Sequence, residues 1–291
     1  MFTKAYNIAN KYTHPLIVAM RFFDTAVEGG LGSFIILNDE GWCITAAHNF
    51  GVYFTYNEHL KEMKEYEDRV NKINSNTQIS EKQRQVLARE LKPNKKWITD
   101  FSILLGGQPV EIVQSYIHGE NDIAFFKINP DAIKGQTVFP KIKRSENISP
   151  GASLCKLGFP FVDVKPTFNS ETRQFILPAD LLPVPLFPIE GIYTRNIFKG
   201  KTTEGSIDIL FLETSSPGLK GQSGGPIFDT AGDIYAIQSH NVTMPLGFKG
   251  TVETNGKMIE ENQFFNVGVG VHTAVIEALL VQHNIRFQRA D

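Results

Sequence analysis

Short apolar runs alternate along the chain with breaks rich in glycine, proline, asparagine and aspartate, a pattern of strands more than of helices. Pro15–Met20 reads as a first strand. Ile35–Leu37 and Trp42–Thr45 flank Asn38-Asp39-Glu40-Gly41 and read as a hairpin. Ile123–Ile128 reads as a buried strand, Pro226–Phe228 as a strand-like stretch, and Ile234–Ser239 as the strand that follows it. Thr273–Ile285 has the look of a terminal helix. The prediction is an all-β body closed by a C-terminal helix.

Two segments break the pattern. Between Tyr56 and Trp97 the charge rises and the period becomes helical, with Leu60, Met63, Val70 and Ile73 in a stripe. Lys61/Glu65, Lys64/Asp68 and Glu65/Arg69 are i,i+4 pairs of opposite charge. Ser80 with Gln83 makes a capping box that opens a second helix through Leu91, and Pro93 follows its end. The prediction is a helical hairpin over 56–97. From Pro166 to Gly200, Pro166, Pro178, Pro183, Pro185 and Pro188 are interleaved with Phe and Leu. That spacing argues against a regular helix or a central strand and for an apolar loop.

Composition narrows the class. The 291 residues are 42% hydrophobic, enough for a full core. A net charge of −2 gives no argument for nucleic acid or for an anionic membrane as partner. The apolar runs are far shorter than a membrane span. Pro15–Met20 meets Arg21 at once, without a small-residue cleavage site, so no export signal is read. Cys43 and Cys155 lie in apolar stretches and read as reduced core residues. Together these give the expectation of a cytoplasmic protein. His14, His59, His118 and His283 read as surface or strand-edge residues, and neither a metal site nor a cofactor is expected.

The chemistry lies in three fragments. Thr45-Ala46-Ala47-His48 comes first, Asn121-Asp122-Ile123-Ala124 second, and Gly221-Gln222-Ser223-Gly224-Gly225-Pro226 third. A serine hydroxyl is a weak nucleophile at neutral pH and needs a base beside it. An imidazole is such a base, and a carboxylate holds its tautomer. On these fragments and their order the chain resembles the trypsin/chymotrypsin-like serine proteases, and within them the bacterial HtrA-like branch without a PDZ domain. The resemblance implies two six-stranded antiparallel β-barrels, with the helical hairpin inserted in the first. It divides the chain at 1–120 and 121–291. It implies His48 as base, Asp122 as its orienting acid and Ser223 as nucleophile. The amides of Gly221 and Ser223 would form the oxyanion hole.

The same resemblance extends to the substrate. Pro217, six residues before Ser223, would lie at the base of the pocket for the residue preceding the scissile bond (P1), where trypsin has an aspartate. A basic P1 is therefore disfavoured. Ile237, Gln238, Ser239 and His240 would line the pocket and pair with substrate backbone. Gly270 and His272 would form the opposite wall. Two histidines are compatible with an acidic P1 or with a narrowed apolar pocket, and both stay open. Gln222, uncharged, argues against activation by a newly cut N-terminus and for control by loop ordering or a partner. Residues 56–97 and 166–200 are the candidate contacts for a regulatory protein. The expected activity is endopeptidase hydrolysis of a protein or peptide substrate. The alternatives are a catalytically silent peptide-binding module and an esterase-like acyl hydrolase.

Overall fold

The computed structural model describes residues 1–144, 148–254 and 257–290, the side chain of Thr254 excepted. Residue 291, the end of the second predicted body, lies outside them.

Helix α1 (Thr3–Tyr12) leads into β1 (Thr13–Phe22), which pairs antiparallel with β2 (Val27–Ile36). β2 pairs with β3 (Trp42–Thr45). A 3₁₀ turn over Ala47–Phe50 passes into α2 (Gly51–Asn74) and then α3 (Glu81–Glu90). β4 (Ile98–Leu105), β5 (Gln108–Val110), β6 (Ile112–His118) and β7 (Ile123–Ile128) complete a curled sheet in the order β5-β4-β1-β2-β3-β7-β6.

The second half contributes β8 (Lys141–Ile142), β9 (Ser153–Gly158) and the small hairpin β10 (Thr167–Asn169) and β11 (Gln174–Ile176). β12 (Phe187–Lys201), β13 (Asp208–Thr214), β14 (Pro226–Phe228), β15 (Ile234–Thr254) and β16 (Lys257–His272) follow. After α4 (Thr273–Gln282) the last strand is β17 (Gln288–Arg289). The sheet runs β14-β9-β12-β13-β16-β15, and a further β14–β15 pairing closes this ring into the second barrel. β8 and β17 lie outside the ring, beyond β15.

The strands nearest the site are buried on both faces, and alternation sorts their side chains. Ile35 and Leu37, Trp42 and Ile44, and Ile123 and Phe125 join a core shared with Cys155, Phe228, Val271 and Leu279 of the second barrel. Phe34 and Ile36, Cys43, and Ala124, Phe126 and Ile128 face the core of the first barrel with Leu16 and Phe50. A strand buried on both sides reads as a near-continuous apolar run, and Ile-Ala-Phe-Phe-Lys-Ile is one, broken only at the half-buried Lys127. Phe125 is fully buried, and such a side chain contributes about 2–3 kcal/mol. His48 follows β3 and Asp122 precedes β7, so this packing fixes both.

The structure corrects several boundaries. β7 pairs with β3 and β6 inside the first sheet, so the first body runs past 120 to Ile128. Residues 3–12 pack on the second body instead of the first: Ala5, Ala9 and Tyr12 lie in the shared core, and Tyr12 Oη donates to the Gly232 carbonyl at 3.1 Å. The helical insertion begins at Gly51, not Tyr56, directly from the turn that carries His48. Its capping box forms: Ser80 Oγ accepts from the Gln83 N–H at 3.3 Å and Gln83 Oε1 from the Ser80 N–H at 3.0 Å. The prolines end at Pro188, and Phe187–Lys201 is a strand between β9 and β13, with Pro188 at its second position. The loop is thus shorter than predicted. α4 stops at Gln282, short of Ile285. β15 and β16 extend far beyond Ser239 as a long two-stranded arm.

Candidate active site

Three loops meet between the barrels. The first carries His48 on its 3₁₀ turn. The second ends in Asp122, which sits in the left-handed region at φ 50° and so turns its carboxylate back toward the first. Asp122 Oδ1 accepts from the His48 backbone N–H at 3.0 Å, and both carboxylate oxygens lie 3.0 Å from His48 Nδ1. Ser239 Oγ donates to Asp122 Oδ2. A β-bulge between Gln238 and His240 takes Ser239 out of register with β16, and it is this irregularity that aims its hydroxyl at the carboxylate. Burial alone would raise the Asp122 carboxyl, but the hydrogen bonds from His48 and Ser239 outweigh it and hold it low. The hydrogen bond to Asp122 raises His48 above its ordinary value against a smaller desolvation effect.

The third loop holds Ser223. Its hydroxyl donates to the Ser239 carbonyl at 3.1 Å, and among the described residues no hydrogen bond joins it to His48. The loop is clamped by the first barrel. The Ser223 carbonyl accepts from the Ser33 N–H at 2.8 Å and from Asn49 Nδ2 at 3.0 Å, and Ser33 Oγ donates to the Gly221 carbonyl at 2.7 Å. Gly221 has φ 97° and Gly224 φ 86°, where only glycine is at ease. A Cβ on Gly221 would strike the Phe159 carbonyl, and one on Gly224 the Ser33 carbonyl and Thr45 Oγ1. Among the described residues, the N–H groups of Gly221 and Ser223 have no acceptor, whereas those of Gln222, Gly224 and Gly225 bond to Leu219, Gln238 and Gln222 carbonyls. Two unpaired donors in one tight turn can receive a negative oxygen.

Gln222 is buried and holds the turn from behind. Its Nε2 donates to the Phe187 carbonyl at 2.9 Å and its Oε1 accepts from the Leu219 N–H at 2.9 Å. The oxyanion turn is thereby tied to the end of the proline-rich segment. A cleft of about 360 Å³ beside Gly221 is lined by Gly29, Leu31, Phe161, Val164 and Leu219 among others.

The predicted pocket residues divide. Pro217 is beside the loop, its carbonyl accepting from Lys156 Nζ at 3.1 Å. His240 is half-buried, with Nδ1 2.8 Å from Ser239 Oγ. Ile237 faces the core, and Gln238 is buried with its Nε2 near the His240 and Val269 carbonyls at 3.2 and 3.3 Å. Gly270 and His272 do not form a pocket wall. In register, Gln238 opposes Gly270 and Ala236 opposes His272. Gly270 abuts Ile227 and Ala236, and His272 is the N-cap of α4, its Nδ1 accepting from the Ala274 N–H at 3.1 Å. Burial pushes the His272 ring down to about 4. Past the bulge at Ser239, Val269 and Gly268 stand opposite His240 and Asn241.

Sequence reasoning missed Ser33, Asn49, Lys156 and Asn241. A serine in an apolar strand carries no signal of its own. Lys156 did carry one, as a cation inside Leu154-Cys155-Lys156-Leu157. It is 1% exposed, with Thr214 Oγ1 3.0 Å away and the Ser216 carbonyl as a further acceptor. Among the described residues no cluster of His, Cys, Asp and Glu forms a metal site.

The Trypsin-like peptidase domain family matches residues 32–237, which span all three loops. Among solved structures, the HtrA-type protease AlgW with decapeptide superposes with a TM-score of 0.51 at 15% identity, covering 98% of this chain and 67% of that one. AlgW with tripeptide gives a TM-score of 0.49 at 16% identity, covering 98% and 64%. The first likeness supports the double-barrel fold. Comparison with curated proteins finds no match.

Proposed function

The chain belongs to the trypsin-like peptidase family, a family of serine proteases, and we propose that it is an endopeptidase acting through His48, Asp122 and Ser223. The observation that carries this reading is the His48–Asp122–Ser239 network lying beside a clamped Ser223 turn with two unpaired amides. The substrate is a peptide or protein; the AlgW structures carry bound peptides.

Ser223 Oγ rotates toward His48, gives its proton to Nε2 and bonds to the scissile carbonyl carbon. The carbonyl oxygen becomes negative and takes the Gly221 and Ser223 N–H donors. Asp122 keeps the Nδ1 proton on the ring and stabilises the imidazolium. Collapse breaks the C–N bond, His48 returns the proton to the leaving amine, and an ester on Ser223 remains. Water, deprotonated by His48, then adds to the ester, and loss of Ser223 Oγ with its proton restored releases the acid. The Ser239–Asn241 backbone has β16 on one side, leaving its other edge for substrate backbone. A basic P1 is rejected because Pro217 offers no charge and Lys156 lies behind it. The tie from Gln222 to Phe187 makes the proline-rich segment the natural place for control by loop ordering. The free, buried Cys43 and Cys155 fit a reducing cytoplasm.

A fluorophosphonate probe and a peptide library test the reading together. The wild type should label at Ser223 and hydrolyse peptides, and Ser223→Ala should lose both while melting as the wild type does. Unlabelled, inactive wild type would instead mark a peptide-binding module. Turnover retained in Ser223→Ala would place the nucleophile elsewhere.

A further inference from the structure

On the serine-protease reading, with the scissile carbonyl on Ser223 and its oxygen on the Gly221 and Ser223 amides, the P1 side chain would enter between the segment before Ser223 and the β15–β16 pair. Gly218 is on one side of that space and Gly268, in register opposite Asn241, is on the other. Glycines there would ordinarily leave a deep chamber. Here both glycines are packed against neighbouring groups. The exposed Asn241 lays its amide across the mouth: Nδ2 donates to the Gly218 carbonyl at 2.7 Å, and the Gly218 N–H donates to Oδ1 at 2.7 Å. Below the bridge, a Cβ on Gly218 would come within 2.6 Å of Gln238 Cδ. A Cβ on Gly268 would come within 2.6 Å of the Ser216 carbonyl and 2.7 Å of Lys156 Nζ.

We propose that Asn241 is the specificity-determining residue of the site: its paired bond to the Gly218 backbone closes the P1 chamber, so the enzyme cleaves after small uncharged residues such as glycine, alanine and serine. This rests on the serine-protease reading above. A larger side chain must break both bonds at once and leave a backbone N–H and C=O without partners, so size is rejected through polar groups as well as through volume. An acidic P1 does not reach Lys156 while the bridge stands, because its ammonium already faces Thr214 Oγ1 and the Ser216 and Pro217 carbonyls. Lysine and arginine meet no carboxylate at Pro217 or Lys156 whether the bridge is open or closed.

The test is kcat/KM on a peptide series differing only at P1, for the wild type and Asn241→Gly, with active sites counted by fluorophosphonate labelling. The wild type should favour Gly, Ala and Ser over Leu, Phe, Glu and Lys by about tenfold or more. Asn241→Gly should raise Leu and Phe by about tenfold or more relative to Ala, while Lys and Arg stay poor. A labelled wild type that cleaves after Leu or Phe as fast as after Ala overturns the proposal and leaves the protease reading intact. So does an Asn241→Gly profile like that of the wild type. Should Asn241→Gly not fold, Asn241→Ala carries the same expectation, and the wild-type profile decides independently. A wild type that neither labels nor cleaves removes the protease reading, and this proposal with it.

Discussion

Replacing Asp122 with asparagine tests the site at its most determined point. The carboxylate accepts from the His48 backbone N–H on Oδ1, from Ser239 Oγ on Oδ2, and faces His48 Nδ1 with both oxygens at 3.0 Å. Asparagine has one oxygen. The backbone N–H cannot turn round, so that oxygen must take the Oδ1 place. The amide NH₂ then faces the Ser239 hydroxyl, which can reverse and accept, and His48 Nδ1, which accepts only if its proton moves to Nε2. That tautomer presents an N–H where Ser223 needs a base. The shape is kept and the chemistry inverted, so stability should fall by no more than ~1 kcal/mol. The rate should fall by about 10⁴, or ~5.4 kcal/mol of barrier. The pH profile carries a second sign. Asp122 raises His48, and catalysis needs neutral His48, so wild-type kcat/KM should climb with pH through a midpoint above 6.5. Without the carboxylate the midpoint should drop. Single-turnover rates on a peptide from pH 5 upward, normalised to folded protein, measure both. A loss under about tenfold, or an acid limb that stays in place, would show that the His48–Asp122 contact orients nothing that the reaction uses.

Gly224→Ala should both unfold and silence the protein, because its φ of 86° disfavours a side chain and the Cβ would press on the Ser33 carbonyl and Thr45 Oγ1 of the first barrel. A urea melt should show a loss of about 3 kcal/mol or more, and a melting midpoint unchanged in such a variant would mean that the turn has another packing available. The helical insertion divides into a docked half and a free half. Tyr56 stacks on Phe101 at 5.6 Å, Trp97 Nε1 donates to Glu62 at 2.6 Å, and the Ile98 N–H donates to His59 Nδ1 at 3.0 Å. No residue of either helix is buried, but beyond the Tyr66–Leu91 bond the side-chain hydrogen bonds of Arg69 and Arg84 stay within the insertion. Replacing 69–88 by a short turn should therefore leave melting and small-probe labelling as they are while altering cleavage of a folded protein substrate, whereas replacing all of 56–97 should destabilise the first barrel by stripping Trp97 from Phe23 and Tyr56 from Phe101. Equal melting curves for the two deletions would contradict that division.

What the sequence discloses follows from the range of the interaction that fixes it. β3 and β7 were legible because a near-continuous apolar run is local, and both faces of those strands are buried. The three fragments were legible because each combines a reacting side chain with the glycine or strand end that aims it. The box at Ser80 and Gln83 is local too, and it forms. The charge pairs Lys61/Glu65 and Lys64/Asp68 had the right spacing, yet neither closes to an ion pair among the described residues; exposed pairs gain too little to fix two long side chains. The misplaced residues share a different cause. Gly270 and His272 were set against the serine by the resemblance, whereas in the pairing they oppose Gln238 and Ala236, and past the bulge at Ser239 it is Val269 and Gly268 that oppose His240 and Asn241. No pattern in one strand reveals a bulge made with its neighbour, because the extra residue shows only in the pairing. The same holds for α1, whose Ala5, Ala9 and Tyr12 stripe gives amphipathicity but not the barrel it covers. Asn241 is the sharpest instance. In sequence it is a polar residue in an exposed strand. Its two bonds to Gly218 exist only because a bulge, a nucleophile turn and a glycine opposite it bring the amide over the space beside Ser223. Specificity in this fold is therefore written in contacts between loops, while the catalytic residues are written in the loops themselves.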